Sequence, residues 1–223
     1  MKKKIISYSF FYILLCFILI IFLNQNTINQ SKINADVPKC NKLNYEQSLK
    51  LHPNNFQSAN IEIKIKDNRE WQRLLLEEEV LAKSLQIKYD SEYKFYSNRK
   101  RIDAKIFINF NNDEPLCFLN AKIRPHGDLK DHRSENSLPS LNVNLEDGHF
   151  FGIVKFILLK PVTRNFDNEI IATQIFKDLK FISPRTANFY VTNNGKLEKF
   201  IFQERAVKEL IESNNKLENP IFK

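Results

Sequence analysis

The chain has 223 residues, of which 34 are Lys or Arg and 26 are Asp or Glu, for a formal net charge of +8. Its four glycines form neither a Gly-x-Gly-x-x-Gly loop nor a Walker P-loop, so nucleotide binding through those two loops is excluded. The three cysteines include no Cys-x-x-Cys pair, which excludes zinc ribbons, ferredoxin-type clusters and thioredoxin-like redox sites.

The N-terminus carries a long apolar run. Three lysines precede an uncharged stretch from Ile5 to Leu23, which as a helix would be about 28 Å long, close to the thickness of a bilayer's hydrocarbon core. A cleaved signal peptide is the alternative, but its apolar stretch is usually about 7–15 residues long and ends near small residues, and here the nearest is Ala35. We therefore expect residues 1–23 to be an uncleaved single-pass anchor whose residues 5–23 lie in the lipid bilayer of the cell membrane.

The lysines before the run place the N-terminus in the cytoplasm, so the remaining domain is expected to be extracytoplasmic. Cys40 and Cys117 could then form a disulfide, although the sequence leaves open whether they meet. Residues 24–57 are rich in polar residues and are predicted to form a stalk. Positive charges are interleaved with acids, so we expect no nucleic-acid partner.

Residues 58–223 are predicted to form an α+β domain. Strict alternation over residues 60–66 predicts a strand, and Asp67 with Glu70 predicts a capping box for a helix that ends near Gln86. Three hairpins are expected, from residues 102–110 with 116–124, 140–145 with 153–159, and 186–192 with 196–202.

Two further helices are expected later in the chain. One covers residues 204–213, and the other covers residues 167–179. The second has a predicted buried stripe made of Ile170, Ile171, Ile175, Phe176 and Leu179.

Five blocks, read in order, resemble the spore-coat CotH kinase-like family, especially its membrane-anchored bacterial members. They are AKIRPHGDLKDH from Ala121, PSLNVNL from Pro139, GIVKFILLKPVTRNFDNEI from Gly152, SPRTANFYVTNNG from Ser183 and FIFQERAVKELIESNNKLENPIFK from Phe200. The family is similar to an atypical protein kinase, in which a strand-rich first lobe and a helical second lobe clasp ATP and a divalent metal. The predicted fold class is therefore α+β, with an N-terminal transmembrane helix followed by antiparallel hairpins and interspersed helices that resemble the first lobe of an atypical kinase.

The resemblance implies that this chain is not catalytic alone. In the family, the carboxylates that hold the metal follow downstream of the block that begins at Phe200, so we assign no catalytic or metal-binding residue here. ATP and Mg²⁺ are expected only for the complete protein, and neither for this chain alone. The alternative is that a downstream segment or a partner chain supplies the second lobe and makes this chain half of an active kinase.

Five residues are candidates for binding the cofactor's phosphates. Lys155, on a predicted strand, and Glu169, at the start of the next helix, match the pair by which kinases direct an ammonium at phosphates, although an unpaired strand lysine and a helix-dipole acid would look the same. Arg164 could contact phosphate through its planar guanidinium or bind loop carbonyls instead. Arg124 and Gly127 lie where a strand meets a polar loop, which either approaches a nucleotide or simply turns.

A remote alternative is an Fe(II) site of the oxygenase type. His126 and Asp128 match the His-x-Asp element of a two-histidine, one-carboxylate triad, and His132 or His149 would be the third ligand. Oxygenases of that type place the distal histidine much farther along a jelly roll, so surface histidines are the simpler interpretation.

Overall fold

Seven strands form a closed barrel with the neighbour order β1-β2-β3-β4-β5-β7-β6. The structure is a computed structural model that describes residues 37–89, 100–110, 115–133 and 137–214. Six of the strand pairings are antiparallel, and the pairing of β1 with β6, which closes the barrel, is parallel. The strands are β1 (Ala59–Ile65), β2 (Ile102–Phe110), β3 (Cys117–Pro125), β4 (Leu141–Leu145), β5 (Lys155–Leu159), β6 (Thr186–Asn193) and β7 (Lys196–Glu204).

Alternation along the strands determines which side chains fill the barrel. On β3, every second residue from Cys117 to Pro125 is buried and the residues between them are partly exposed. Phenylalanine rings fill much of the interior. Phe56 contacts four of them edge-on or tilted, with ring centroids 5.0–6.0 Å apart: Phe150, Phe151, Phe189 and Phe202. Each ring of this size buries a large apolar area.

The described helices are α1 (Tyr45–Leu49), α2 (Asn68–Tyr89), α3 (Asn168–Asp178) and α4 (Lys208–Ser213). At the start of α2, the Asp67 carboxylate accepts a hydrogen bond of 2.9 Å from the backbone N–H of Glu70. Trp71 and Leu74 then join the barrel core, and the buried carboxylate of Glu78 pairs with Arg133 at 2.9 Å. These contacts attach α2 to the barrel.

The segment that begins at Pro38 is attached to β3. A disulfide joins Cys40 to Cys117, so the pairing that the sequence left open is made in the structure. The Pro38 carbonyl accepts a hydrogen bond of 3.0 Å from the Phe118 N–H, and Lys39 pairs with Asp147 at 2.8 Å. The described part of the predicted stalk is therefore held against the barrel by covalent, backbone and ionic contacts.

The predicted fold class is wrong in its architecture. The chain forms a closed seven-stranded mixed barrel, not a transmembrane helix followed by separate hairpins. Among the described residues, no helix is long and apolar enough to cross a membrane, which contradicts the predicted transmembrane and signal-anchor description. The predicted anchor segment itself, residues 5–23, lies outside the described residues. The three predicted hairpins do form, but β5 also pairs with β7 and β1 with β6.

The predicted buried stripe of α3 is also wrong. Ile171, Ile175, Phe176 and Leu179 are all more than half exposed. The buried residue of this helix is Thr173, whose hydroxyl donates to backbone carbonyls one turn earlier and contacts the Thr186 hydroxyl of β6. Because the apolar period alone does not say which side of a helix meets the sheet, the sequence pattern assigned the stripe to the wrong side.

Candidate functional site

A row of polar and basic side chains crosses the outer face of the barrel. The strand register places Arg124 of β3 opposite Asn142 of β4, then Ile157 of β5, then Gln203 of β7. The first rung of β2 with β3 joins Ile102 to Ile123, so Arg101 continues this row beside Arg124. Directly opposed residues of antiparallel strands share one face of a sheet, so these side chains are neighbours.

A second row runs beside the first. It contains Lys122, Asn144 and Lys155, and the N–H of Arg205 bonds to the Lys155 carbonyl at 3.0 Å, which places Arg205 at the end of the row. Lys122 is already paired with acids, at 3.2 Å to Asp103. We give the name arginine face to the other four cations of the two rows, Arg101, Arg124, Lys155 and Arg205, together with Arg164 and His126 at their border.

The charges of the arginine face act on one another. Burial, followed by the charges of Arg124 and Arg205, lowers the pKa of Arg101. Burial, followed by repulsion from His132, Arg124, Arg164 and Arg205, lowers the pKa of His126 to about 4. Several positive groups are therefore close enough to disfavour an additional charge, and such a region attracts anions.

Few carboxylates neutralise this surface. Glu169 of α3 lies 3.3 Å from the Arg164 Nε, and it accepts a hydrogen bond from the Gln203 amide. In the described ranges, Arg101, Lys155 and Arg205 form no ion pair with any acid. Within the part of the chain that the structure describes, the charges of these three cations are therefore not neutralised by a paired carboxylate.

Asn142 holds Arg101 in place. Its side-chain oxygen accepts hydrogen bonds of 3.4 Å from both terminal nitrogens of the Arg101 guanidinium, and the residue is only 2% exposed. The Lys122 carbonyl accepts a further bond of 3.5 Å from Arg101. These acceptors restrict the guanidinium while leaving it positively charged, so Arg101 is positioned before any ligand arrives.

The structure brings four of the five predicted site residues to one region. Arg124 and Lys155 lie in adjacent rows of the arginine face, and Arg164 joins them with its partner Glu169. Glu169 pairs with Arg164, and no ion pair joins it to Lys155 among the residues described. The kinase-like lysine–glutamate pair is therefore replaced by an arginine–glutamate pair at the edge of the face.

Gly127 serves a packing role. Its φ angle is +84°, and an added Cβ would lie 2.1 Å from two carbons of the His132 ring. That ring is buried, and its Nδ1 forms a hydrogen bond of 3.0 Å with the Ser140 hydroxyl. Glycine at position 127 leaves room for His132 below the loop that carries His126.

Residues that the sequence analysis did not assign to this site are Arg101, Arg205, Asn142 and, as a phosphate-site group, His126. Arg101 stands just before the predicted start of a strand, and Arg205 lay within the helix predicted over residues 204–213, which in the structure begins only at Lys208 because β7 runs on to Glu204. Their shared location follows from two strand pairings, β2 with β3 and β5 with β7. The sequence does show basic residues close to the ends of these strands. Grouping them into one site, however, requires knowing which strands pair and in which register.

The predicted Fe(II) triad is not assembled. The rings of His126 and His132 meet edge-on with centroids 5.7 Å apart, and His149 accepts a hydrogen bond of 3.0 Å from the Gly152 N–H. Within the described parts of the chain, no group of three or more His, Cys, Asp or Glu side chains is arranged to hold a metal ion.

No protein-family model matches the chain, and no curated protein matches it. The resemblance to the CotH kinase-like family therefore remains a prediction from the sequence blocks.

Proposed function

We propose that the arginine face binds the phosphates of a nucleotide, in contrast to the expectation from the sequence that this chain alone holds no ATP, and that the chain is a phosphate-binding lobe of CotH kinase-like type that is not catalytic alone. The single observation behind this proposal is that guanidinium groups from Arg101, Arg124 and Arg205 and the ammonium of Lys155 share one face. In the described ranges, three of these four groups, those of Arg101, Arg205 and Lys155, are without an acidic partner.

The chemistry of these groups favours a phosphate ligand. A guanidinium presents parallel N–H donors that match two phosphate oxygens, and hydrogen bonds between charged partners are about twice as strong as neutral ones. Burial, and after it repulsion by Arg124 and Arg205, lowers the pKa of Arg101, and a polyanion would relieve the repulsive part. At neutral pH, His126 is uncharged because its pKa is about 4, and it can donate one hydrogen bond.

The proposed role is binding and orientation. Phosphoryl transfer requires carboxylates that hold Mg²⁺ and a carboxylate that orients the hydroxyl nucleophile. Glu169, the carboxylate at the edge of the face, already pairs with Arg164 and Gln203. We assign the remaining parts to a downstream segment or a partner chain, which would make the complete assembly a kinase. The disulfide supports an oxidising, extracytoplasmic location.

Calorimetric titration of the 223-residue chain tests the proposal. ATP should bind, inorganic triphosphate should compete with it, and binding should weaken as salt rises because exposed charges are screened. Arg124→Gln and Arg205→Gln should each weaken ATP binding by roughly tenfold or more, because a hydrogen bond to a charged group is worth about 1.5–3 kcal/mol. Arg73→Gln is the matched control, since Arg73 is an exposed arginine on α2 whose partners are Glu70 and Glu77.

Three results would contradict parts of this function. If ATP and triphosphate fail to bind at millimolar concentration, or if Arg124→Gln binds them as Arg73→Gln does, the arginine face is not a phosphate site. If the purified chain with Mg²⁺ hydrolyses ATP or phosphorylates itself, the non-catalytic role is wrong even though the binding site stands.

A further inference from the structure

His126 borders the arginine face at the point where β3 ends. It directly follows Pro125, the last residue of β3, and its N–H donates a hydrogen bond of 2.7 Å to the Ser140 carbonyl, so it stands one row beyond Arg124. Because side chains alternate along a strand, His126 shares the outer side of the barrel with Arg124, two residues earlier. Its side chain is partly exposed and therefore within reach of a ligand on the face.

Basic groups from several elements converge on this histidine. Burial is the largest cause of the lowered pKa of His126, and the charges that add to it belong to His132, Arg124, Arg164 and Arg205. Arg164 ends the short turn after β5, and Arg205 directly follows β7. The repulsive part of the shift therefore comes largely from guanidinium groups of the proposed phosphate site.

The loop after β3 carries the other charged groups beside His126. The Arg133 guanidinium donates a hydrogen bond of 2.9 Å to the His126 carbonyl, and it also pairs with the buried Glu78 carboxylate at 2.9 Å. This cation is thus held on the backbone side of His126 by an acid of its own. The imidazole ring of His126 is left to respond to the charges on the arginine face.

His132 is the less suitable proton acceptor of the two neighbouring histidines. Its ring is buried, and its Nδ1 is bonded to the Ser140 hydroxyl at 3.0 Å. Burial lowers the pKa of His132, and the nearby Asp131 and Asp128 oppose that shift. A phosphate on the arginine face reaches the partly exposed ring of His126 first.

We propose that His126 takes up a proton from the solvent when phosphate groups occupy the arginine face, and that it then binds them as an imidazolium. This inference rests on the proposed phosphate site. A bound polyanion offsets the positive charges around the ring and adds negative charge beside it, which favours the protonated form. Because coupling between two ligands is reciprocal, acid must in turn strengthen phosphate binding.

The size of the effect follows from proton linkage. A return of the His126 pKa from about 4 to its ordinary value of 6.5 makes binding roughly thirtyfold tighter at pH 5 than at pH 8. At pH 5.5 the ring is almost entirely neutral in the free protein and almost entirely protonated in the complex. Binding at that pH therefore takes up about one proton through His126.

Calorimetry in two buffers of different ionisation enthalpy measures this proton uptake. Inorganic triphosphate is titrated into the 223-residue chain at pH 5.5, and we expect the wild type to take up about one proton more than His126→Gln. Protons that triphosphate itself gains or loses cancel in this difference. His149→Gln is the matched control, because His149 is an exposed histidine of the β4–β5 turn that accepts a hydrogen bond from the Gly152 N–H, and its uptake should equal that of the wild type.

Imidazole proton signals give a second measurement. The signal that is missing from His126→Gln belongs to His126, and its titration midpoint should rise by at least about one pH unit when triphosphate saturates the protein. Circular dichroism at each pH confirms that the wild type and both variants are folded.

Three outcomes overturn the proposal. If triphosphate binds with equal proton uptake in the wild type and in His126→Gln, His126 is not the proton acceptor, although the phosphate site stands. If His149→Gln loses the same uptake, the proton is bound elsewhere. If triphosphate does not bind at all, the phosphate site and the role of His126 both fall.

Discussion

Replacing Gly127 with Ala tests the role that the structure gives to this glycine. Two costs add at this position. A side chain at a φ of +84° is held in the left-handed region, which costs roughly 1–2 kcal/mol for an L-residue. The new Cβ would also lie 2.1 Å from the His132 ring, and overpacking of this kind costs about 1–3 kcal/mol.

The ring has little freedom to move away. His132 is buried, its Nδ1 is bonded to the Ser140 hydroxyl, and its other side meets the His126 ring. The Ser140 oxygen also accepts a hydrogen bond from the Lys160 N–H, so moving it would disturb β4 and the turn after β5. We therefore expect Gly127→Ala to lower the free energy of unfolding by about 2–5 kcal/mol.

Urea denaturation measures this loss, and Gly195→Ala separates its two causes. Gly195 has a φ of +76° and nothing within 4 Å of the added Cβ, so its substitution should cost only the backbone part, about 1–2 kcal/mol. The difference between the two variants is the cost of the clash with His132. Equal losses in the two variants would refute the packing role of Gly127.

Other measurements test the ion pair, the histidine and the disulfide. Arg185→Met leaves the Glu204 carboxylate, which is 1% exposed, without its partner at 2.9 Å, and should lower the free energy of unfolding in urea by about 3–5 kcal/mol. Lys83→Met breaks an exposed ion pair and should lower it by less than about 1 kcal/mol. Similar losses in the two variants would contradict the argument that burial makes the Arg185–Glu204 pair important. Because the pKa of His126 falls from 6.5 to about 4 on folding, the unfolded state binds more protons, so stability should fall as pH drops from 6.5 towards 4. His126→Gln should flatten that part of the profile, and an unchanged profile would exclude this cause. Cys40→Ser opens a link between residues 77 apart and should lower the free energy of unfolding by about 4 kcal/mol; no loss would mean that the bond does not constrain the unfolded chain.

Local patterns predicted the strands well and the barrel not at all. Alternation over residues 60–66 and the Asn-Gly turn before Lys196 each indicated a strand or hairpin that the structure contains, within one or two residues. Closure depends instead on β5 with β7 and β1 with β6, and no residue pattern within a strand says which distant strand it will join. The fold class was therefore wrong even though its hairpins formed.

The prediction of the site is also limited because local patterns do not show which distant strands pair. Arg124, Lys155 and Arg164 could be chosen from their residue types and positions near strand ends, since these features are local. Arg101 and Arg205 become neighbours only through cross-strand register. The analogy to kinases offered Lys155 as a partner of Glu169, beside the alternative that the two are unpaired, but the short turn before α3 brings Arg164 to Glu169 instead.

The parallel seam between β1 and β6 affects how the protein is made. Only two rungs form it, Ile61 with Val191 and Glu62 with Thr192, and they join strands from opposite ends of the barrel sequence. During synthesis β1 emerges early and must wait, with one edge unpaired, until almost the whole domain has left the ribosome. A chain that terminates before β6 could not close the barrel. Its unpaired strand edges would make it prone to edge-to-edge aggregation and dependent on chaperones.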